Sequence, residues 1–268
     1  MNANRFGDLE VLACSPSGKP AYATPLLFIH GAYTGAWCWA EHFLPYFADA
    51  GYTSYAVSLS GHGGSRRRTV LDTLSIDDYV RDVAEVVSRL PAAPVLIGHS
   101  MGGMVVQKYL ERAGAPAAVL LCSVPPQGLM GSAIGLMFNK PNLINDLNSM
   151  LNGGHPEPEG LREALFHQPV DDAALMRYYR QCQPESHRAI WDMTLFNLPQ
   201  PGRMHRPPML ILGAEHDHLI PPAQVSMTAA IYGEPAHIFP GLGHGVMLER
   251  DWRPVADHIA AWLPTQIV

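Results

Sequence analysis

The chain has 268 residues and a mass of 29.3 kDa, with 47% hydrophobic and 16% charged residues, a balance too apolar for a disordered chain and sufficient for a large buried core. Eighteen basic and 24 acidic side chains give a net charge of −6, and the one basic run, Arg66-Arg67-Arg68, is short, which excludes the broad positive track of a nucleic-acid partner. The longest apolar stretches, such as Ala117 to Cys122, fall far short of the ~20 residues of a spanning helix, so no membrane span is expected.

Met1 to Gly7 contains no apolar segment followed by a small-residue cleavage site, so no secretory signal is expected and the default location is cytoplasmic. Cys14, Cys38, Cys122 and Cys182 are widely separated and read as reduced thiols, since neither a disulfide framework nor a zinc spacing is present. Apolar runs at Leu9 to Cys14 and Leu26 to His30 predict the first strands. The second opens into His30-Gly31-Ala32-Tyr33, where the glycine permits a tight turn and close approach. Thr53 to Leu59 is the next strand, followed by Gly61-His62-Gly63-Gly64-Ser65. Ser75 to Leu90 starts with a cap residue, has an acid three residues on at Asp78, and repeats apolar residues at Val80, Val83, Val87 and Leu90, the pattern of a helix with one buried face.

Pro94 to Gly98 predicts a strand and Met101 to Arg112 a helix, joined by Gly98-His99-Ser100-Met101-Gly102 with Gly103 after it. A serine flanked by glycines at such a junction sits on a strained turn that projects its hydroxyl outward. After a strand at Ala117 to Val124 the alternation stops, and from Pro125 to Pro201 no strand pattern appears. Leu143, Ile144, Leu147 and Leu151 share a helical face, and Leu175, Tyr178 and Tyr179 form another. Strands resume at Met209 to Gly213 and Ala236 to Phe239, and Asp251 to Leu263 reads as the last helix. The alternation predicts an α/β fold, a mostly parallel central sheet with helices on both faces and a helical cap insertion. The expected division is 1–124 and 202–268 as core, with 125–201 as cap.

A neutral serine is a poor nucleophile and needs a base, an acid to orient that base, and amide donors for an oxyanion. Gly243-His244-Gly245 follows the last strand, and its glycines let the imidazole reach over the sheet edge, whereas His237 lies in a strand and His258 in a helix. His244 is therefore the preferred base. Of the acids after the Met209 strand, Asp217 is favoured, with Glu215 in reserve. His216 and His218 flank Asp217 without a third ligand at zinc-type spacing, so neither a metal nor another cofactor is expected. The oxyanion donors expected are the amides of Met101, at a helix start, and Ala32, with Tyr33 the neighbouring option.

These residues fall in order at successive strand ends, and together the chain resembles the α/β-hydrolase superfamily, whose chain order is serine, acid, histidine, here Ser100, Asp217 and His244. The resemblance covers nearly everything outside the cap. In the related epoxide hydrolases and haloalkane dehalogenases the elbow nucleophile is an aspartate, so Ser100 argues against both. Gly35-Ala36-Trp37-Cys38-Trp39 is similar to plant methylesterases and hydroxynitrile lyases, but the lyases carry threonine and lysine where this chain has Gly31 and Gly245. The resemblance thus implies a serine esterase with a small-molecule substrate. Alternatives on the same fold are carbon-carbon bond hydrolysis, cofactor-independent oxygenation, and a ligand receptor with little turnover. Met130, Met137, Phe138, Met150, Leu151, Phe166, Met176, Tyr178, Met193 and Phe196 in the cap either form its core or line an adaptable apolar pocket for a small apolar substrate.

Overall fold

The structure, a computed structural model, describes residues 2–154 and 157–267. Eight strands, β1 (Asn2–Phe6), β2 (Leu9–Cys14), β3 (Leu26–Ile29), β4 (Ser54–Val57), β5 (Val95–His99), β6 (Ala118–Leu121), β7 (Met209–Ala214) and β8 (Ala236–Phe239), form one sheet in the order β1-β2-β4-β3-β5-β6-β7-β8. The six from β3 to β8 are parallel, and β2 pairs antiparallel with both β1 and β4. The strand β1 is absent from the sequence reading because Asn-Ala-Asn-Arg-Phe has no apolar alternation; it is an edge strand held by its hairpin to β2.

Strands buried on both faces read as continuous apolar runs, as in Leu26–Ile29, Ala118–Leu121 and Met209–Ala214. Side chains alternate between two cores. Leu26 and Phe28 pack with α1 (Trp37–Ala40), α2 (Phe43–Asp49) and α11 (Arg253–Trp262), the last through Val255 and Ile259. Leu27 and Ile29 pack on the other face with α3 (Ile76–Val87), α4 (Met101–Leu110) and α10 (Pro222–Tyr232). The Ser75–Asp78 capping box starts α3 as expected: the Asp78 amide donates to Ser75 Oγ, and the Ser75 amide donates to Asp78 Oδ2.

Between β6 and β7 lie α5 (Met130–Asn139), α6 (Pro141–Leu151), α7 (Pro158–Leu165), α8 (Asp172–Gln181) and α9 (His187–Trp191), with no strand among the described residues. The α6 and α8 helices coincide with the two apolar faces read from the sequence. Register fixes where the loops emerge: Ile29 pairs with Gly98, His99 with Leu121, Leu121 with Leu212, and Ala214 with Phe239. The carboxyl ends of these strands therefore share one edge of the sheet, where crevices of open α/β sheets bind ligands.

Candidate active site

Ser100 occupies the turn from β5 into α4 with φ +52° and ψ −117°, a left-handed backbone that a residue with a Cβ adopts only when its surroundings enforce it. The enforcement comes from helix and strand pressed together. A Cβ on Gly98 would overlap the Gly102 carbonyl, and one on Gly102 would lie 2.5 Å from the His30 carbonyl oxygen. The Ser100 amide donates to the Leu121 carbonyl, and its own carbonyl accepts from the Val124 amide. Met101, the first residue of α4, presents one of the first-turn amides that have no intrahelical acceptor.

His244 and Asp217 are both 3% exposed, and His244 Nδ1 lies 2.7 Å from Asp217 Oδ2. The other carboxylate oxygen, Oδ1, accepts the Leu219 and Ile220 amides at 2.8 Å each. An acceptor-only carboxylate on Nδ1 places a proton there and leaves Nε2 free to accept one. Glu215, the reserve acid, instead accepts the Gly241 amide near the surface. His216 stacks on His167 with ring centroids 3.6 Å apart, and His237 stacks on His258 at 4.3 Å.

The His30 loop is held by its own side chains. The Leu59 amide donates to His30 Nε2 at 3.0 Å, so Nδ1 carries the proton and donates to the Gly31 carbonyl at 2.7 Å. Thr34 Oγ1 donates to the same carbonyl at 3.0 Å. Burial first, then the charge of His62, brings the His30 pKa down to about 3, so the ring stays neutral. Because N–H and C=O point opposite ways across a trans peptide, pinning the Gly31 carbonyl directs the Ala32 N–H away from His30 and Thr34. Gly31 is needed for close approach, since a Cβ there would lie 3.0 Å from that of Ser100.

Ser100, His244, Ala32 and Met101 all line one cavity of about 710 Å³, as does Tyr33, while Asp217 stands behind His244. The rest of the wall is predominantly apolar and comes largely from α5, α6, α7 and α9. Of the cap residues singled out in the sequence, Met130, Met137, Met150, Leu151 and Met193 line it. Phe138 and Phe196 point to solvent, and Phe166 and Tyr178 stack on each other in the core. Trp37 packs on Tyr178 and Cys38 is buried, both outside the lining among the described residues.

Three further residues brace the site. His99 Nε2 donates to the His244 carbonyl at 2.9 Å, and burial together with His244 holds its pKa well below the ordinary value. Glu249 Oε1 accepts the Gly243 and His167 amides at 2.7 Å each, tying the His244 loop to the segment after α7. Cys122, with φ +45°, brings its Sγ within 4.8 Å of the ligand atoms of Asp217 and His244. Those three are the one such cluster found among the described residues that could hold a metal ion. The carboxylate and imidazole are already spent on each other, and burial, then the Asp217 charge, raises the thiol pKa well above its usual range. That donor set fits a hydrogen-bonded network better than a ligand cage, in which the thiol must ionise. No local pattern marks these three roles; only His99 lies inside a motif, as the residue before the serine.

A family model described as the alpha/beta hydrolase family matches residues 26–258. The chain belongs to that family. It is 27% identical over 246 residues to a non-heme haloperoxidase of Rhodococcus erythropolis, covering 83% of this chain and 86% of that protein. Methylesterase 3 of Arabidopsis thaliana is 32% identical over 88 residues, 32% of this chain and 33% of that one. Among solved structures, the hydrolase fold seen here matches an esterase from Exiguobacterium antarcticum with a TM-score of 0.75 at 18% identity, covering 96% and 95% of the two chains. No helix among the described residues is long and apolar enough to cross a membrane.

Proposed function

We propose that this α/β hydrolase is a serine esterase that cleaves a carboxylic ester or related acyl substrate with an apolar acyl or alcohol group. In this reading His244 Nε2 takes the proton of Ser100 as Oγ attacks the carbonyl carbon, and Asp217 stabilises the imidazolium. The Ala32 and Met101 amides receive the oxyanion, His244 returns its proton to the leaving alcohol, and a water activated by His244 then hydrolyses the acyl-enzyme. The observation that carries the reading is the buried Asp217–His244 hydrogen bond of 2.7 Å behind a cavity that His244 shares with the strained Ser100.

The cavity also bears on the substrate. Its walls are mostly apolar, with Ser132, Asp146, Asn148, Asn152, His187 and Thr194 as the polar residues the cap contributes, which suits a hydrophobic acyl or alcohol group with one ester carbonyl to orient. On this reading 125–201 is the helical cap that walls the site, and 1–124 with 202–268 is the hydrolase core. Four free cysteines support a reducing, cytoplasmic setting. The test is a panel of esters graded by acyl length, with Ser100→Ala as control. Turnover is expected to favour apolar acyl groups and to fall by on the order of 10⁵-fold or more in the variant. Ester turnover unchanged in Ser100→Ala would reject the nucleophile. Halide oxidation by peroxide with no ester turnover would favour the activity named for the Rhodococcus relative.

A further inference from the structure

The motif Gly61-His62-Gly63-Gly64-Ser65 takes no part in the proposed chemistry, yet it holds a fully buried ion pair. His62 and Glu185 are both 0% exposed, with Nε2 and Oε2 3.0 Å apart. His62 Nδ1 faces the Ser60 carbonyl at 3.1 Å, an acceptor only, so both ring nitrogens carry protons against acceptors. Burial opposes that charge most strongly, but Glu185, the Ser60 carbonyl and Asp82 together outweigh it, so the His62 pKa lies above its ordinary value. Glu185 Oε1 in turn accepts the Tyr79 hydroxyl at 2.6 Å and the Ser186 amide at 2.7 Å. Taking two charges out of water is expensive, and a pair so placed is worth keeping where geometry matters more than stability.

The geometry leads to the loop beside Ser100. Glu185 belongs to the segment joining α8 to α9, which Ser186 also fastens by donating to the Leu74 carbonyl at 2.5 Å. Gln183 in the same segment donates from Nε2 to the Gly61 carbonyl at 2.7 Å and accepts the Gly63 amide at 3.0 Å. Its own backbone amide donates to the Tyr33 carbonyl at 3.0 Å. Tyr33 has φ +64°, a left-handed conformation that is strained for a residue with a side chain and needs support. A second clasp holds its hydroxyl, which donates to the Leu147 carbonyl of α6 at 3.4 Å.

We infer that Gln183 and Glu185 are positioning residues for the reaction: gripping His62 and Gly63, they hold the Tyr33 carbonyl and so keep the neighbouring Ala32 amide aimed at the oxyanion. The chain of contacts runs from Glu185 through His62 to the loop at Gly61–Gly63, from there through the Gln183 side chain to its backbone amide, and so to Tyr33. The inference rests on the esterase reading, in which Ala32 supplies an oxyanion donor.

The test uses Glu185→Gln and Gln183→Ala in the full chain. Gln183→Ala keeps the backbone amide but loses both side-chain clasps, and it carries the test if Glu185→Gln does not fold. A misplacement of about 1 Å in such a site costs ~10²-fold, so kcat should fall by about 10- to 100-fold with KM within about twofold. The affinity for a trifluoromethyl ketone, whose adduct is an oxyanion, should weaken in parallel with kcat/KM. A merely structural role would lower thermal stability and leave both readouts in the folded fraction unchanged. Folded variants with kcat and ketone affinity within about twofold of the parent, or with a loss confined to KM, would overturn the inference. Fluorophosphonate labelling and Ser100→Ala keep the two readings apart. If Ser100 is labelled and essential while these variants behave as the parent, only the positioning role fails; if Ser100→Ala retains turnover, the esterase reading fails and takes this inference with it.

Discussion

Asp217→Asn separates the chemistry of the site from the folding of its loop. Asp217 Oδ1 accepts the Leu219 and Ile220 amides at 2.8 Å each, and Oδ2 faces His244 Nδ1 at 2.7 Å. An asparagine offers one acceptor oxygen and one NH2 group. The two loop amides can only donate, so they claim the oxygen and leave the NH2 group facing His244 Nδ1. Two donors cannot share that contact, and the imidazole answers by moving its proton to Nε2, where it can no longer accept from Ser100. Loss of the correct tautomer in a Ser-His-Asp site lowers kcat by about 10⁴, or about 5.4 kcal/mol in the barrier at 1.36 kcal/mol per tenfold. Folding keeps its buried amides satisfied, so stability should change by less than about 1 kcal/mol. Asp217→Ala, in contrast, would orphan both amides at about 1–3 kcal/mol each. Steady-state ester hydrolysis with urea denaturation on the same samples measures both quantities. A folded Asp217→Asn variant that keeps more than about a tenth of the parental kcat would refute the reasoning, because the tautomer argument allows no such residue of activity.

Two other outcomes follow from single contacts. Gly102→Ala should destabilise the fold by about 3 kcal/mol or more, because the new methyl would overlap the Ile29 and His30 carbonyl oxygens, and backbone cannot swing aside; a midpoint in denaturant equal to that of the parent would show that α4 does not press on β3 there. The pH dependence of stability should carry the His62–Glu185 pair. His62 has its folded pKa raised above the ordinary 6.5, so its contribution is full below that value and fades as pH rises through the folded pKa; Glu185 has its folded pKa lowered below 4.5, so its contribution is full above 4.5 and fades as pH falls through the folded value. The difference in melting temperature between parent and His62→Gln should therefore be greatest between these limits and shrink on either side, and a difference flat across pH would show that the pair is not ionised.

What the sequence made legible was whatever carries a local signature. Strands buried on both faces appear as apolar runs, and the Ser75 capping box starts α3 where the pattern places it. Ser100, Asp217 and His244 were readable because glycines and strand ends mark each of their loops. The polar edge strand β1 has no such mark, since only its pairing to β2 makes it a strand. The α1 helix is a single four-residue turn, and α2 has only seven residues with Pro45 in its first turn, so neither repeats its period often enough to read. The braces of the site are long-range: Glu249 reaches His167, Gln183 reaches Gly61, and Glu185 reaches His62 across stretches that no periodicity connects. The tautomer of His30 is likewise set by the Leu59 amide, which only the packed sheet brings to it.

The central claim is that an acyl group passes through the Ser100 hydroxyl. Acid-quenching the enzyme during ester turnover and mapping the bound acyl group by peptide mass spectrometry tests it most directly. The account predicts the acyl mass on the peptide containing Ser100, with no such adduct and no turnover in Ser100→Ala; sustained turnover with that peptide unmodified, or an acyl group carried by another residue, would contradict it.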